Sequence, residues 1–204
     1  PKETRQLGET DLDTATALVT ARFVTGDESL ANDCINDARE WWRKRGRDSL
    51  RDLHARVLER HATAGEVAFL LEPNLKEGLG GLRDIHALLW AIDAGLPLSG
   101  GDKQELKRSN EVLLTSRVAL HINAQRVGDV LRLEDQDAVA TLCGYRNADA
   151  LVAALSNAGR SVAWVGDEVW ARVAAAKTKP VKDQHLAPGV ILHQGEIHLD
   201  ETVD

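Results

Sequence analysis

Between Pro73 and Leu82 the chain can continue neither a helix nor a strand. Pro73 has no backbone donor and biases Leu71 and Glu72 toward extended geometry, and Gly78, Gly80 and Gly81 put three glycines within four positions. Directly behind them Leu82, Ile85, Leu89 and Ile92 recur at helical spacing, which predicts an amphipathic helix with that set facing inward. The fold must therefore bring a tight irregular loop to the start of a helix. Such a loop can leave backbone N–H groups free, and free amides at a helix N-terminus attract anions, phosphate above all. Lys76 and Arg83 flank the loop with positive charge, and each is placed to hold a phosphate oxygen. The plainer alternative is a turn, with Asp84 offsetting the helix dipole, Lys76 solvated and Arg83 paired with Glu72 or Asp84.

The string from Glu72 to Asp84, E-P-N-L-K-E-G-L-G-G-L-R-D, resembles the signature L-E-P-N-I-K-E-G-x-G-G-L-R-D of the bacterial PII uridylyltransferase/uridylyl-removing family. Asp11 to Leu18 with Ala21-Arg22 and Gly26-Asp27 is similar to the family's segment closing the nucleotidyltransferase domain, and Thr115 to His121 resembles a following helix. The resemblance implies a mainly α fold, a nucleotidyltransferase-associated helical bundle with little or no β-structure. It implies transfer of a nucleotidyl group from UTP, or ATP in some relatives, to the nitrogen-signalling protein PII. The same enzyme would remove that group when glutamine, its effector, is plentiful. It implies Mg²⁺ held by parts of the parent enzyme outside this chain, and a cytoplasmic setting. Lys76, Arg83 and the amides from Gly78 through Gly80, Gly81 and Leu82 would contact the triphosphate. Asn74 and Asp84 would orient the loop, and Arg22 is a weaker candidate for the same cleft. No residue is expected to be catalytic or to bind metal, and the piece alone is expected to be inactive.

The rest of the chain bounds these expectations. A net charge of −7 at pH 7 argues against a general nucleic-acid binder, and no apolar run reaches membrane length. The chain begins at Pro1 and contains no Met, which reads as a piece of something longer. Cys34 and Cys143 are isolated, lack metal spacing and suit a reducing compartment. Asp11-Leu12-Asp13 superficially matches paired metal-binding aspartates, but it follows no Gly-Ser turn and lies on no strand pattern. Asp11 is better read as the cap of a helix over 11–25 with Leu12, Ala15 and Val19 inward.

Residues 28–61 read as helix, with Leu30, Cys34, Ala38 and Trp41 facing in, a break at Gly46, and Leu50, Leu53 and Val57 resuming the face. Arg39, Arg43, Lys44, Arg45, Arg47 and Arg51 form a basic cluster, read as a solvated face or as a contact for a nucleotide or an acidic partner, the latter making the chain a non-catalytic docking module. Val67 to Leu71 reads as a brief strand or buried extended segment. Asp102 with Glu105 suggests a capping box, and Leu106, Leu113 and Leu120 line the helix that follows. Glu134 to Cys143 predicts a short helix. Leu151, Leu155, Ala158, Val162, Val165, Val169 and Val173 form the cleanest stripe, expected to be core. Lys177 to Asp183 has linker composition, and residues 190–199 suggest a hairpin turning at Gln194-Gly195. His185, His193 and His198 have no partner carboxylates spaced for a metal site. The expected domains are 1–27, closing a nucleotidyltransferase domain, 28–176, the bundle, and 177–204, the linker and hairpin.

Overall fold

The computed structural model describes residues 2–125, 127–175, 184–187, 190–193 and 196–199. The architecture is mainly α. Helices α1 (Lys2–Thr10), α2 (Leu12–Val19), α3 (Glu28–Ala64), α4 (Leu82–Asp93), α5 (Gly100–Ala124), α6 (Leu133–Leu142) and α7 (Ala148–Ala175) follow in order. Strands β1 (Gln184–Ala187), β2 (Val190–His193) and β3 (Glu196–Leu199) complete them. The chain divides into two compact units, Pro1–Val169 and Trp170–Asp204. The second contains the small antiparallel sheet in the order β1-β2-β3, with His193 opposite Glu196. Pairing of β2 with β3 matches the two arms of the expected hairpin, β1 adds a strand that the sequence pattern does not signal, and the turn at Gln194-Gly195 lies outside the described residues. The linker stretch 177–183 also lies outside them. No helix is long and apolar enough to cross a membrane among the described residues.

Helices α2, α3 and α5 start behind short polar side chains. Asp11 accepts from Thr14 N at 2.8 Å and caps α2, and Asp27 accepts from Leu30 N at 3.0 Å and caps α3. Two boundaries move from expectation. α2 ends at Val19, not near residue 25, because Thr16 and Thr20 bond back to carbonyls of the preceding turn and the chain leaves the helix there. α5 begins at Gly100 behind Ser99, whose hydroxyl accepts from Asp102 N at 3.1 Å, so Ser99 and not Asp102 is the cap.

The inward faces are partly those expected. Ala15, Val19, Ala38, Leu50, Leu53, Val57, Leu106, Leu113 and Leu120 are buried, as is the whole Leu151–Val173 stripe of α7. Leu30 instead is exposed, and Trp42, not Trp41, is the fully buried tryptophan of α3, its indole donating to Trp90 O at 2.8 Å. On α4 the buried set is Leu82, Ile85, Leu88 and Ala91, with Leu89 exposed, so the face turns by one residue past the first turn.

Gly46 does not break α3, which runs unbroken from Glu28 to Ala64. A side chain there would meet the Trp42 ring at 2.8 Å and Ala94 Cβ at 3.1 Å, so the glycine lets α3 and α4 approach closely. The segment after Gly65 is neither strand nor buried run. Val67 is buried and its N–H donates to Leu79 O at 3.0 Å, but Phe69, Leu70 and Leu71 are exposed. They sit on a turn closed onto Glu66 O, which faces their side chains away from the core.

Candidate functional site

The motif loop is wedged among α3, α4, α5, α7 and the 129–131 segment. Asn74 makes the first turn, its side-chain oxygen accepting from Lys76 N at 3.1 Å and Glu77 N at 2.9 Å. Leu75, fully buried, donates its N–H to Asp129 O at 2.8 Å and accepts from Leu82 N at 3.0 Å. Gly80, with φ +81°, then presses against α7: a side chain there would stand 2.3 Å from Gly159 O. Gly159 in turn lies under Val67 and Ala68. Two main chains touch where two glycines permit it.

This geometry corrects one expectation. The N–H groups of the loop are not free for an anion. Gly78 N donates to Asn74 O at 3.1 Å, Leu79 N to Gly65 O at 2.8 Å and Gly80 N to Asp84 Oδ2 at 2.7 Å. Gly81 N donates to Gly78 O at 2.8 Å, and Arg83 N to Lys76 O at 3.0 Å. With Leu82 N taken by Leu75, every amide from Gly78 to Arg83 is satisfied by the chain itself. Gly78, Gly80, Gly81 and Leu82 are buried, and their N–H groups are spent within the chain.

The side chains tell a different story. Asp84, buried at the front of α4, is gripped by Arg60 and lies 2.9 Å from His61 Nε2 through each of its oxygens. Arg60 also donates through Nε to Glu77 O at 3.2 Å, so α3, the loop and α4 meet at one guanidinium. Glu77 gathers the surface cations: its Oε1 lies 3.3 Å from Lys76 Nζ and 3.3 Å from Arg83 Nε, and its Oε2 is 3.9 Å from Arg60 Nε. Lys76 continues to Asp129 Oδ2 at 3.5 Å, and Asp129 Oδ1 accepts from Arg117 Nε at 2.6 Å. Burial would raise the Asp129 carboxyl, but its hydrogen bond and charge contact with Arg117, joined by Lys76, outweigh that and hold it below the usual carboxylate range. The result is a continuous ridge of Arg60, Lys76, Arg83 and Arg117 interleaved with Glu77, Asp84 and Asp129.

Of the residues singled out in the sequence, Lys76, Arg83, Asn74 and Asp84 thus converge. Arg22 is exposed on the connection between α2 and α3, and no hydrogen bond or ion pair among the described residues joins it to the loop. Arg117, on α5, does reach the neighbourhood of Lys76, through Asp129. Sequence reasoning missed the parts played by Arg60, His61, Glu77 and Asp129. Nothing local marks Arg60 or Asp129, because Arg60 meets Asp84, 24 residues further on, and Asp129 meets Lys76 from the far side of α4 and α5. The basic cluster of α3 is partly spent on structure: Arg39 donates to Val19 O at 3.3 Å, Arg47 to Gly95 O at 2.7 Å, and Lys44 pairs with Glu40 at 2.5 Å. Among the described residues no group of three or more His, Cys, Asp or Glu is placed to hold a metal. The carboxylates of the ridge each face cations instead, so the donor set does not fit Mg²⁺.

Residues 48–169 match the family model described as GlnD PII-uridylyltransferase, a span containing the whole ridge. The bifunctional uridylyltransferase/uridylyl-removing enzyme of Streptomyces coelicolor is 34% identical over 99% of this chain and 26% of its own length. Its namesakes in Mycobacterium tuberculosis and Cupriavidus pinatubonensis are 30% and 35% identical, over 97% and 67% of this chain and 26% and 17% of their own lengths. The chain thus spans about a quarter or less of these relatives. No solved structure matches it. With its motif loop, its helical architecture and most of its first compact unit inside the match, the chain belongs to the GlnD PII-uridylyltransferase family.

Proposed function

We propose that this chain supplies the helical wall of a nucleotide cleft in a bifunctional enzyme that uridylylates the PII protein and removes the group again. Its nucleotide is UTP or ATP, and Mg²⁺ is held by other parts of that enzyme. Lys76 and Arg83 contact the triphosphate through their side chains, steadying charge on the departing pyrophosphate, while the closed loop beneath holds them at fixed spacing. The observation that carries this reading is charge and access. Lys76 and Arg83 are the ridge cations most open to solvent, at 33% and 50% side-chain exposure, and they share one oxygen of one carboxylate. Along the ridge Arg60, Lys76, Arg83 and Arg117 outnumber Glu77, Asp84 and Asp129, an excess of positive charge that suits a polyanion.

The test is Lys76→Ala and Arg83→Ala in an enzyme that contains the whole chain. Each lowers uridylyl transfer to PII by about a hundredfold, the usual size of losing one preorganised electrostatic contact. Uridylyl removal stays within about twofold, because it needs no triphosphate. An undiminished transfer rate refutes the assignment. This chain alone, assayed with PII and UTP, turns nothing over; turnover by it would refute the partial role.

A further inference from the structure

Glu77 lies between the two cations assigned above to the nucleotide. Its Oε1 is equidistant, at 3.3 Å, from the Lys76 ammonium and the Arg83 guanidinium. Those contacts are long. Charge-assisted hydrogen bonds in good geometry run about 2.7–2.9 Å, and the neighbouring Arg117–Asp129 pair, at 2.6 Å, is tight by comparison. The Glu77 backbone is fixed at both ends of its peptide, its N–H on Asn74 Oδ1 at 2.9 Å and its carbonyl on Arg60 Nε at 3.2 Å. Only the side chain is left free to turn. A third cation stands near it, Arg60 Nε lying 3.9 Å from Oε2 while its N–H is given to the Glu77 carbonyl.

From this geometry we infer that Glu77 is an internal stand-in for the nucleotide phosphate, occupying the Lys76–Arg83 gap when the site is empty and swinging toward Arg60 when a polyphosphate enters. The inference rests on the cleft reading and adds its regulation. An anion gains the two cations only by displacing a tethered carboxylate, so affinity is held below what the cations alone would give. Competition of this kind is a differential interaction of one ligand with two side-chain states, which is what a population shift requires. While the site is empty, Glu77 offsets the Arg83 charge and shares that of Lys76 with Asp129.

The probe is inorganic tripolyphosphate, titrated calorimetrically into this chain and into Glu77→Gln and Glu77→Met at low ionic strength. Thermal unfolding of each variant establishes that the loop is retained. Both variants are expected to bind at least tenfold more tightly than the parent chain, and adding Lys76→Gln to either abolishes the gain. If the parent chain binds tripolyphosphate and both variants bind equally or less well, the stand-in role is overturned while the cleft assignment survives. If neither the parent chain nor the variants bind, the cleft assignment falls with it.

Discussion

Asp84 illustrates how much one carboxylate can organise. It receives Arg60 and His61 from α3 and the Gly80 N–H from the loop, all at a position almost closed to water. Removing one partner of a buried ion pair strands the other charge, at a cost of about 3–5 kcal/mol. Asp84→Ala is therefore expected to lower unfolding stability by that amount in chemical denaturation, and Arg60→Ala to add little once Asp84 is gone. His54, lower on α3, behaves oppositely with respect to charge. Partial burial, then the nearby His61, holds its imidazole below the ordinary value of 6.5. The unfolded chain then takes up a proton before the folded one does, so stability falls as pH drops below about 6.5 and the loss is complete beneath the folded value. His54→Gln should flatten the pH dependence of the denaturation midpoint as pH falls below about 6.5; an unaltered slope would contradict this account.

Among the elements, the motif loop and α7 are joined most directly. Alanine at position 80 faces two obstacles: φ of +81° disfavours any side chain, and the added carbon would overlap Gly159 O. Gly80→Ala is expected to destabilise the protein by more than about 2 kcal/mol, beyond the usual range for a glycine replaced at a compatible site. Thermal unfolding measures this, and a neutral result would mean that loop and helix are not in main-chain contact. Element patterns explain what the sequence does and does not reveal. The α7 stripe is legible because seven apolar positions repeat at helical spacing, and the repeat alone decides which face is buried. Gly46 misleads because a glycine in a helix resembles a break, whereas the need for it comes from Trp42 and from Ala94, which lies 48 residues further on. Phe69, Leu70 and Leu71 mislead because composition says buried while a local turn onto Glu66 O sets their direction. The loop amides mislead for a related reason: glycines show that N–H groups can be presented, not which carbonyl or carboxylate answers them.

For the molecule as a whole, the formal charge of −7 and the cationic ridge have opposite signs. The excess of positive charge along the ridge is thus local, set against a chain that is negative overall. Any attraction acts within about a Debye length, ~10 Å at ordinary ionic strength. Family membership was legible in thirteen residues of the motif, because the string from Glu72 to Asp84 is long and odd in composition. The ridge itself was not, since it assembles from α3, the loop, α5 and the 129 segment, and only the fold brings these together.

The meeting of Gly80 with Gly159 leaves no adjustable side chain between the loop and α7. Their separation is consequently fixed by peptide dimensions and cannot be tuned by exchanging one apolar residue for another. Sequence drift elsewhere in the interior can reshape the packing around this joint without changing the height at which the loop stands. Lineages that keep both glycines should hold Lys76 and Arg83 at the same level above the helix, however far the remaining residues diverge.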